Sequence, residues 1–367
     1  MEEKRCAVVT GGNKGIGFEI CRQLALTGIE VILTSRNESR GVEAVEKLKS
    51  SGLSNVIFHQ LDITDSSSIA RLAKFIETHF RKLDILINNA AESGIIIHEE
   101  EFRAGGGFVQ LTDERAELLT NVIDEPYELG EQCLHINYYG TKAVTEALIP
   151  ILQLSKSPRI VNVSSTGGDL IVQLTDERAE LLTNVIDEPY ELGEQCLHIN
   201  YYGTKAVTEA LIPILQLSKS PRIVNVSSTG GDLIVLNDEK MRHELQDIEK
   251  LTEERIDEIV QSFLKDFKNA KLKENGWPLT ISAYKVSKIA VNAYTRLLAR
   301  RFKSIIVNCV HPGYVVTDMT SQTGYITAED GAKGPVMAAL LPDDGPSGVF
   351  FNKTNIAPFF TTDWVLN

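Results

Sequence analysis

Short apolar runs alternate with amphipathic ones along the first ninety residues. CAVVT (6–10) is β-branched and apolar, and GGNKGIG then opens FEICRQLALTG, whose apolar positions recur at helical spacing and which stops at Gly28. The alternation continues with EVILTSR as a strand, SRGVEAVEKLKSSG as a helix, NVIFHQLDIT as a strand, SSIARLAKFIETHF as a helix and LDILINNAA as a fourth strand. Near-continuous apolar strands separated by helices predict a doubly wound parallel α/β sheet, covered on both faces and joined by right-handed crossovers. Beyond a Gly-rich stretch reaching about Phe108, ELGEQCLHINYYGTKAVTEALIPIL reads as a long helix and RIVNVSS as a buried strand. Residues 238–270 are charged and helical in pattern and read as an insertion. SAYKVSKIAVNAYTRLLARRF is a further helix, SIIVNCVHPGYV a strand and PSGVFFN a last one, which brings the expected sheet to about seven strands.

One feature breaks this pattern. Residues 109–171 recur letter for letter at 172–234, an offset of 63. Two copies do not make a stackable array, and the period lies outside that of solenoids and propellers. The duplication therefore falls inside one domain spanning 1–367, and its lack of drift makes it recent or a product of splicing or gene assembly. With one slot for this helix and strand, the sheet is expected to take one copy and extrude the other. The second copy is preferred, because that choice displaces the extra residues into the irregular region after Ala91 and leaves the segment from Ser228 to Tyr284 intact. An extruded amphipathic helix and apolar strand would favour aggregation.

Composition narrows the class. The chain has 367 residues and a formal charge of −13; each copy carries nine acids and four bases, so the chain with one copy would have 304 residues and a charge of −8. That size suits one α/β domain. An acidic chain without a Lys/Arg cluster excludes nucleic acid and anionic membranes as expected partners. Five cysteines show no CxxC or Cys/His ligand spacing, and no run of 18 apolar residues occurs. No metal site is expected, and the chain reads as a cytoplasmic protein with structural thiols.

Candidate chemistry sits in two places. Gly11, Asn13, Lys14, Gly15, Ile16 and Gly17 follow a strand and open a helix, the context in which glycines let a backbone approach a pyrophosphate lying at the helix N-terminus. A tight βα turn alone would also want glycines. Lys14 within the turn and Arg36 just past the second strand favour the 2′-phosphate of NADP, where an acid would favour NAD. Tyr284 and Lys288 stand four apart on one helix face. A phenol with an ordinary pKa of about 10 becomes a useful acid and base near neutrality when an ammonium stabilises its phenolate.

TGGNKGIG, Asn88-Asn89-Ala90-Ala91, the helix Asn, VNVSS, YKVSK and HPGYVVTDM, in this order, resemble the short-chain dehydrogenase/reductase family over nearly the whole chain. The insertion before YKVSK, KENGWP and PSGVFF resemble the plant monomeric carbonyl reductases of the neomenthol dehydrogenase and salutaridine reductase type. The resemblance implies a Rossmann-like fold and NADPH-dependent reduction of a hydrophobic ketone or aldehyde, such as a cyclic terpenoid or alkaloid ketone. By that resemblance Tyr284 donates the proton and Lys288 holds the nicotinamide ribose. The second Ser of VNVSS, Ser228 or its copy Ser165, bonds the substrate oxygen, and the helix Asn, Asn200 or its copy Asn137, ties Lys288 to a water relay. Asp62 would face adenine, Asn89 and Ala90 would line the cleft, and Val315 and Thr317 would meet the carboxamide. Ala91 departs from the family's usual Gly. The helical insertion, 236–280, is expected to block the dimer-forming helices, giving a monomer, and to cover the active site with Met241, Phe263 and Trp277. A non-catalytic NADP-binding protein and a variant inactivated by the duplication are the competing readings.

Overall fold

A computed structural model describes residues 4–93, 96–98, 123–124, 127–163, 190–279, 281–320, 322 and 324–361. The first half alternates as its hydrophobic pattern requires: β1 (Cys6–Val9), α1 (Gly15–Leu26), β2 (Glu30–Ser35), α2 (Glu38–Ser50), β3 (Val56–Gln60), α3 (Ser66–His79) and β4 (Ile85–Asn88). Side chains fix the helix starts, with Asn37 accepting from the Arg40 amide and Asp65 from the Ser67 amide. A two-stranded antiparallel pair follows, β5 (Ile96–Ile97) with β6 (Ile123–Asp124).

The two copies then fold alike. The first gives α4 (Tyr127–Leu134), a π-helical turn His135–Gly140, α5 (Thr141–Leu152) and β7 (Arg159–Asn162). The second gives α6 (Tyr190–Leu197), a π-helical turn His198–Gly203, α7 (Thr204–Leu215) and β8 (Arg222–Val226). The chain continues through α8 (Glu239–Gln246), α9 (Glu253–Lys268), α10 (Ser282–Arg301), β9 (Ile306–His311), α11 (Ala328–Ala339), β10 (Phe350–Asn352) and β11 (Asn355–Ala357).

Among the described residues nine strands form one sheet in the order β11-β10-β9-β8-β7-β4-β1-β2-β3, parallel except for β11. This corrects the expected extrusion: β7 and β8 lie side by side, each residue against its own duplicate, Arg159 with Arg222 through Asn162 with Asn225. An open parallel sheet has no fixed number of places, and a helix followed by a strand is the unit by which it grows. Magnitudes decide the outcome. In the first copy Ile136, Val144, Leu148, Ile151, Leu152, Ile160 and Val161 are all buried, and each contributes roughly 1.5–3 kcal/mol. Loop-length differences cost only about 0.6 kcal/mol per doubling. With both apolar strands inside the sheet, the expected cause of aggregation is also removed.

The strands alternate as buried strands should. Leu86, Ile160 and Ile223 face one core layer, under α3, α5, α7 and α10; Ile87, Val161 and Val224 face the other, under α1, α2 and α11. A buried amide ladder crosses three strands: Asn88 Nδ2 donates to Asn162 Oδ1 (3.1 Å), Asn162 Nδ2 to Asn225 Oδ1 (3.2 Å) and Asn225 Nδ2 to Thr295 Oγ1 (3.1 Å). The insertion packs α9 against α10 and α6. Phe263 and Trp277 meet edge to face at 5.4 Å and are fully buried there, with the indole donating to Asp266 at 2.9 Å. They fill core, and neither they nor Met241 lines the main cleft.

Candidate active site

The glycine turn is fixed from two sides. Gly11 has φ +63°, and a Cβ there would stand 3.0 Å from Ala90 Cα. Gly17 is needed for approach: a Cβ would meet Asn89 Nδ2 at 2.4 Å and Gly11 O at 2.6 Å. Thr10 Oγ1 accepts from the amides of both Asn89 and Ala90 at 2.9 Å, while Asn89 Nδ2 donates to Thr10 O and Gly11 O. The ends of β1 and β4 are thereby one rigid unit.

Together they form one wall of a cleft of about 560 Å³. Gly11, Asn13, Lys14, Gly15, Ile16, Gly17, Arg36, Asp62, Asn89, Ala90, Val315 and Thr317 all line it, as does Tyr284 from the far side. Lys14 Nζ lies 2.5 Å from Asp318, and Arg36 lies 3.6 Å from Glu92. Lys14 holds the Asp318 carboxyl below its ordinary range. Asp62 turns its carboxylate onto the Thr64 amide and hydroxyl. Burial alone would raise its pKa, but the Thr64 hydrogen bonds and Arg36 bring it below the usual value. Sequence reasoning missed Arg40, Glu92 and Asp318, which also line the cleft; Arg40 and Glu92 belong to no spaced motif, and Asp318, though it lies within HPGYVVTDM, shows its pairing with Lys14 only in the tertiary structure.

Tyr284 lines the other end, and Lys288 and Ser228 are buried beside it without themselves lining the cleft. Lys288 Nζ stands 5.4 Å from the Tyr284 ring centre and donates to Val226 O at 3.4 Å. Ser228 Oγ accepts from the Gly230 amide at 3.0 Å, and a Cβ at Gly230 would touch both Ser228 Oγ and the Tyr284 ring at 3.5 Å. Asn200 Nδ2 donates to Ser287 Oγ (3.1 Å), which in turn donates to Tyr284 O (2.7 Å), and Asn200 Oδ1 is buried without a hydrogen-bond partner among the described residues. Beside Tyr284, burial pushes the Lys285 amine down to about 8. The second copy therefore supplies the Ser and Asn near Tyr284. Asn137 of the first copy lies instead at the exit of β4, bonded to the backbone of Glu92, and Ser165 is outside the described residues.

This pairing of a glycine turn with a Tyr/Lys helix has counterparts of known kind. Residues 5–175 match the family model described as short chain dehydrogenase, and residues 272–344 match that described as Enoyl-(Acyl carrier protein) reductase. Salutaridine reductase of Papaver somniferum is 44% identical over 360 residues, covering 98% of this chain and 97% of that protein. The chain belongs to the short-chain dehydrogenase/reductase family. (+)-Neomenthol dehydrogenase of Arabidopsis thaliana is 42% identical, covering 98% and 99% of the two chains. Carbonyl reductase [NADPH] 1 of Bos taurus is 30% identical over 97% and 99%. The solved structure of salutaridine reductase from P. somniferum aligns with a TM-score of 0.60, at 43% identity, over 95% of this chain and 99% of that one. Among the described residues no helix is long and apolar enough to cross a membrane, and no group of three His, Cys, Asp or Glu side chains could hold a metal ion.

Proposed function

We propose that the protein is an NADP(H)-dependent reductase that converts a hydrophobic ketone or aldehyde, of the cyclic terpenoid or alkaloid kind, to its alcohol. One observation carries the reading: the glycine turn and Tyr284 line the same cleft. The residues suit the dinucleotide, since Gly11, Gly15 and Gly17 line the cleft where α1 begins, a helix start whose amides suit a pyrophosphate, and Lys14, Arg36 and Arg40 supply cations at the end where a 2′-phosphate would lie. The names of the relatives, salutaridine reductase and carbonyl reductase [NADPH] 1 among them, support cofactor and substrate class.

The bound dinucleotide supplies the hydride. Tyr284 Oη gives a proton to the substrate oxygen, and the Lys288 ammonium stabilises the phenolate left behind. Ser228 Oγ hydrogen-bonds the same oxygen and orients it. Asn200 Oδ1, buried and without a protein partner among the described residues, suits a water through which the proton is replaced. By this reading the catalytic Ser and Asn are those of the second copy. We further infer a cytoplasmic monomer: α9 covers α6 and α10, the faces a dimer would need, and is tied to the neighbouring π-helical turn and α7 through Tyr201 to Asp257 (2.7 Å) and Lys205 to Asp257 and Glu253 (2.6 and 2.9 Å).

The test is NADPH oxidation with a panel of cyclic terpenoid ketones. Wild type turns over at least one of them, and Tyr284→Phe loses about 10²–10⁴-fold in kcat while still binding NADPH. A wild type that oxidises no NADPH with any carbonyl, or a Tyr284→Phe variant as fast as wild type, contradicts the reading.

A further inference from the structure

Asn137 and Asn200 occupy the same place in identical 63-residue copies, yet their carboxamides are used differently. Asn137 Oδ1 accepts from the Glu92 amide at 2.9 Å, and Asn137 Nδ2 donates to Glu92 O at 2.9 Å. Cys133, one helical turn earlier, adds a third contact, its thiol donating to Glu92 O at 3.3 Å. The first copy thus grips one residue of the β4 exit by both backbone polar groups. That residue lines the cleft, and its carboxylate lies 3.6 Å from the Arg36 guanidinium.

We propose that Glu92 is a specificity-determining residue of the cofactor site, competing with the 2′-phosphate for Arg36, and that Asn137 is the positioning residue that aims it. The inference rests on the nucleotide reading of the cleft given above. A carboxylate held next to the cation that favours NADPH lowers the net positive charge a phosphate meets there, and it does so for the phosphorylated dinucleotide alone. Both groups are about half exposed, 62% for Arg36 and 51% for Glu92, so the effect is one of modest, salt-sensitive discrimination. The first copy, whose Asn137 binds the exit of β4, acquires in this way a task at the Arg36 end of the cleft.

The experiment is titration of the full-length protein with NADPH and with NADH at low and high salt, for wild type, Glu92→Gln, Asn137→Ala and the double variant. Glu92→Gln is expected to lower the ratio of the NADPH Kd to the NADH Kd about three- to tenfold at low salt, with the change shrinking as salt rises. Asn137→Ala is expected to move the ratio the same way, and to add nothing in the Glu92→Gln background. An unchanged ratio in Glu92→Gln, or equal shifts for both dinucleotides, overturns the role of Glu92. An Asn137→Ala effect that persists undiminished in the double variant overturns the positioning role. A wild type that binds neither dinucleotide instead sinks the reading of the cleft itself, so the two failures are distinguishable.

Discussion

At the residue scale, identical sequence has been given unlike surroundings, and the surroundings decide the chemistry. Asn200 faces Ser287 and the Tyr284 helix, whereas Asn137 faces the end of β4. The glycine turn, Tyr284 and Lys288 were legible in the sequence because each is a local pattern whose spacing sets the geometry. Glu92 and Asp318 were not, because their meaning comes from Arg36 and Lys14, brought close only by the fold. Arg36→Ala should raise the NADPH Kd about tenfold and the NADH Kd much less, as paired titrations would measure; equal effects would place the 2′-phosphate elsewhere. The five cysteines are all buried. Burial pushes Cys6, Cys21 and Cys309 far above the usual thiol range and Cys133 to about 12. A thiol-specific chromogenic reagent at pH 8 should therefore label the native protein slowly and the denatured protein fully; rapid native labelling would contradict the packing.

At the element scale the duplication places two buried arginines at one helix end. Arg222 donates to Leu341 O and pairs with Asp343 at 2.7 Å, while Arg159, its copy, donates to Ala339 O at 2.8 Å, leaving its Nε without a hydrogen-bond partner. Burial, with Arg5 and Arg222 nearby, lowers Arg159 to about 10. Replacing a buried charge that lacks a carboxylate partner costs little or stabilises, and breaking a paired one costs more. Denaturant unfolding should show Arg159→Met within about 1 kcal/mol of wild type and Arg222→Met destabilised by about 2 kcal/mol or more. Equal losses would mean the two sites are equivalent. Hydrophobic periodicity revealed most helices and strands, but not α11, whose run is broken by Gly331, Gly334 and Pro335, nor the short β5, β6 and β11, and the π-helical turns at His135–Gly140 and His198–Gly203 have no signature in it. Trp277 fills core and does not cover the site; an apolar residue in an insertion does not declare in the sequence which side it buries.

At the scale of the whole molecule, the repeat was plain in the sequence but its placement was not. A hydrophobic pattern says that a strand wants neighbours and does not say how many the sheet will accept. Both copies being in the sheet sets β8 three strands from β1, where a single copy would set it two away, a difference of about 4.8 Å across the cleft. Since a misplacement of about 1 Å can cost 10²-fold in rate, excising 63 residues should raise kcat by about tenfold or more. Removing either copy gives the same 304-residue chain, so one construction suffices for steady-state kinetics, and a slower excised enzyme would show that the doubled spacing is the productive one. Sedimentation should find a monomer if α9 occupies the dimer face as argued. Catalysis by the second copy rests on Ser228, beside Tyr284. The most direct measurement is NADPH-dependent ketone reduction by Ser228→Ala and Ser165→Ala side by side. Ser228→Ala should lose about 10²-fold or more in kcat and Ser165→Ala less than about twofold; the reverse order, or equal losses, would show that Ser228 is not the working serine.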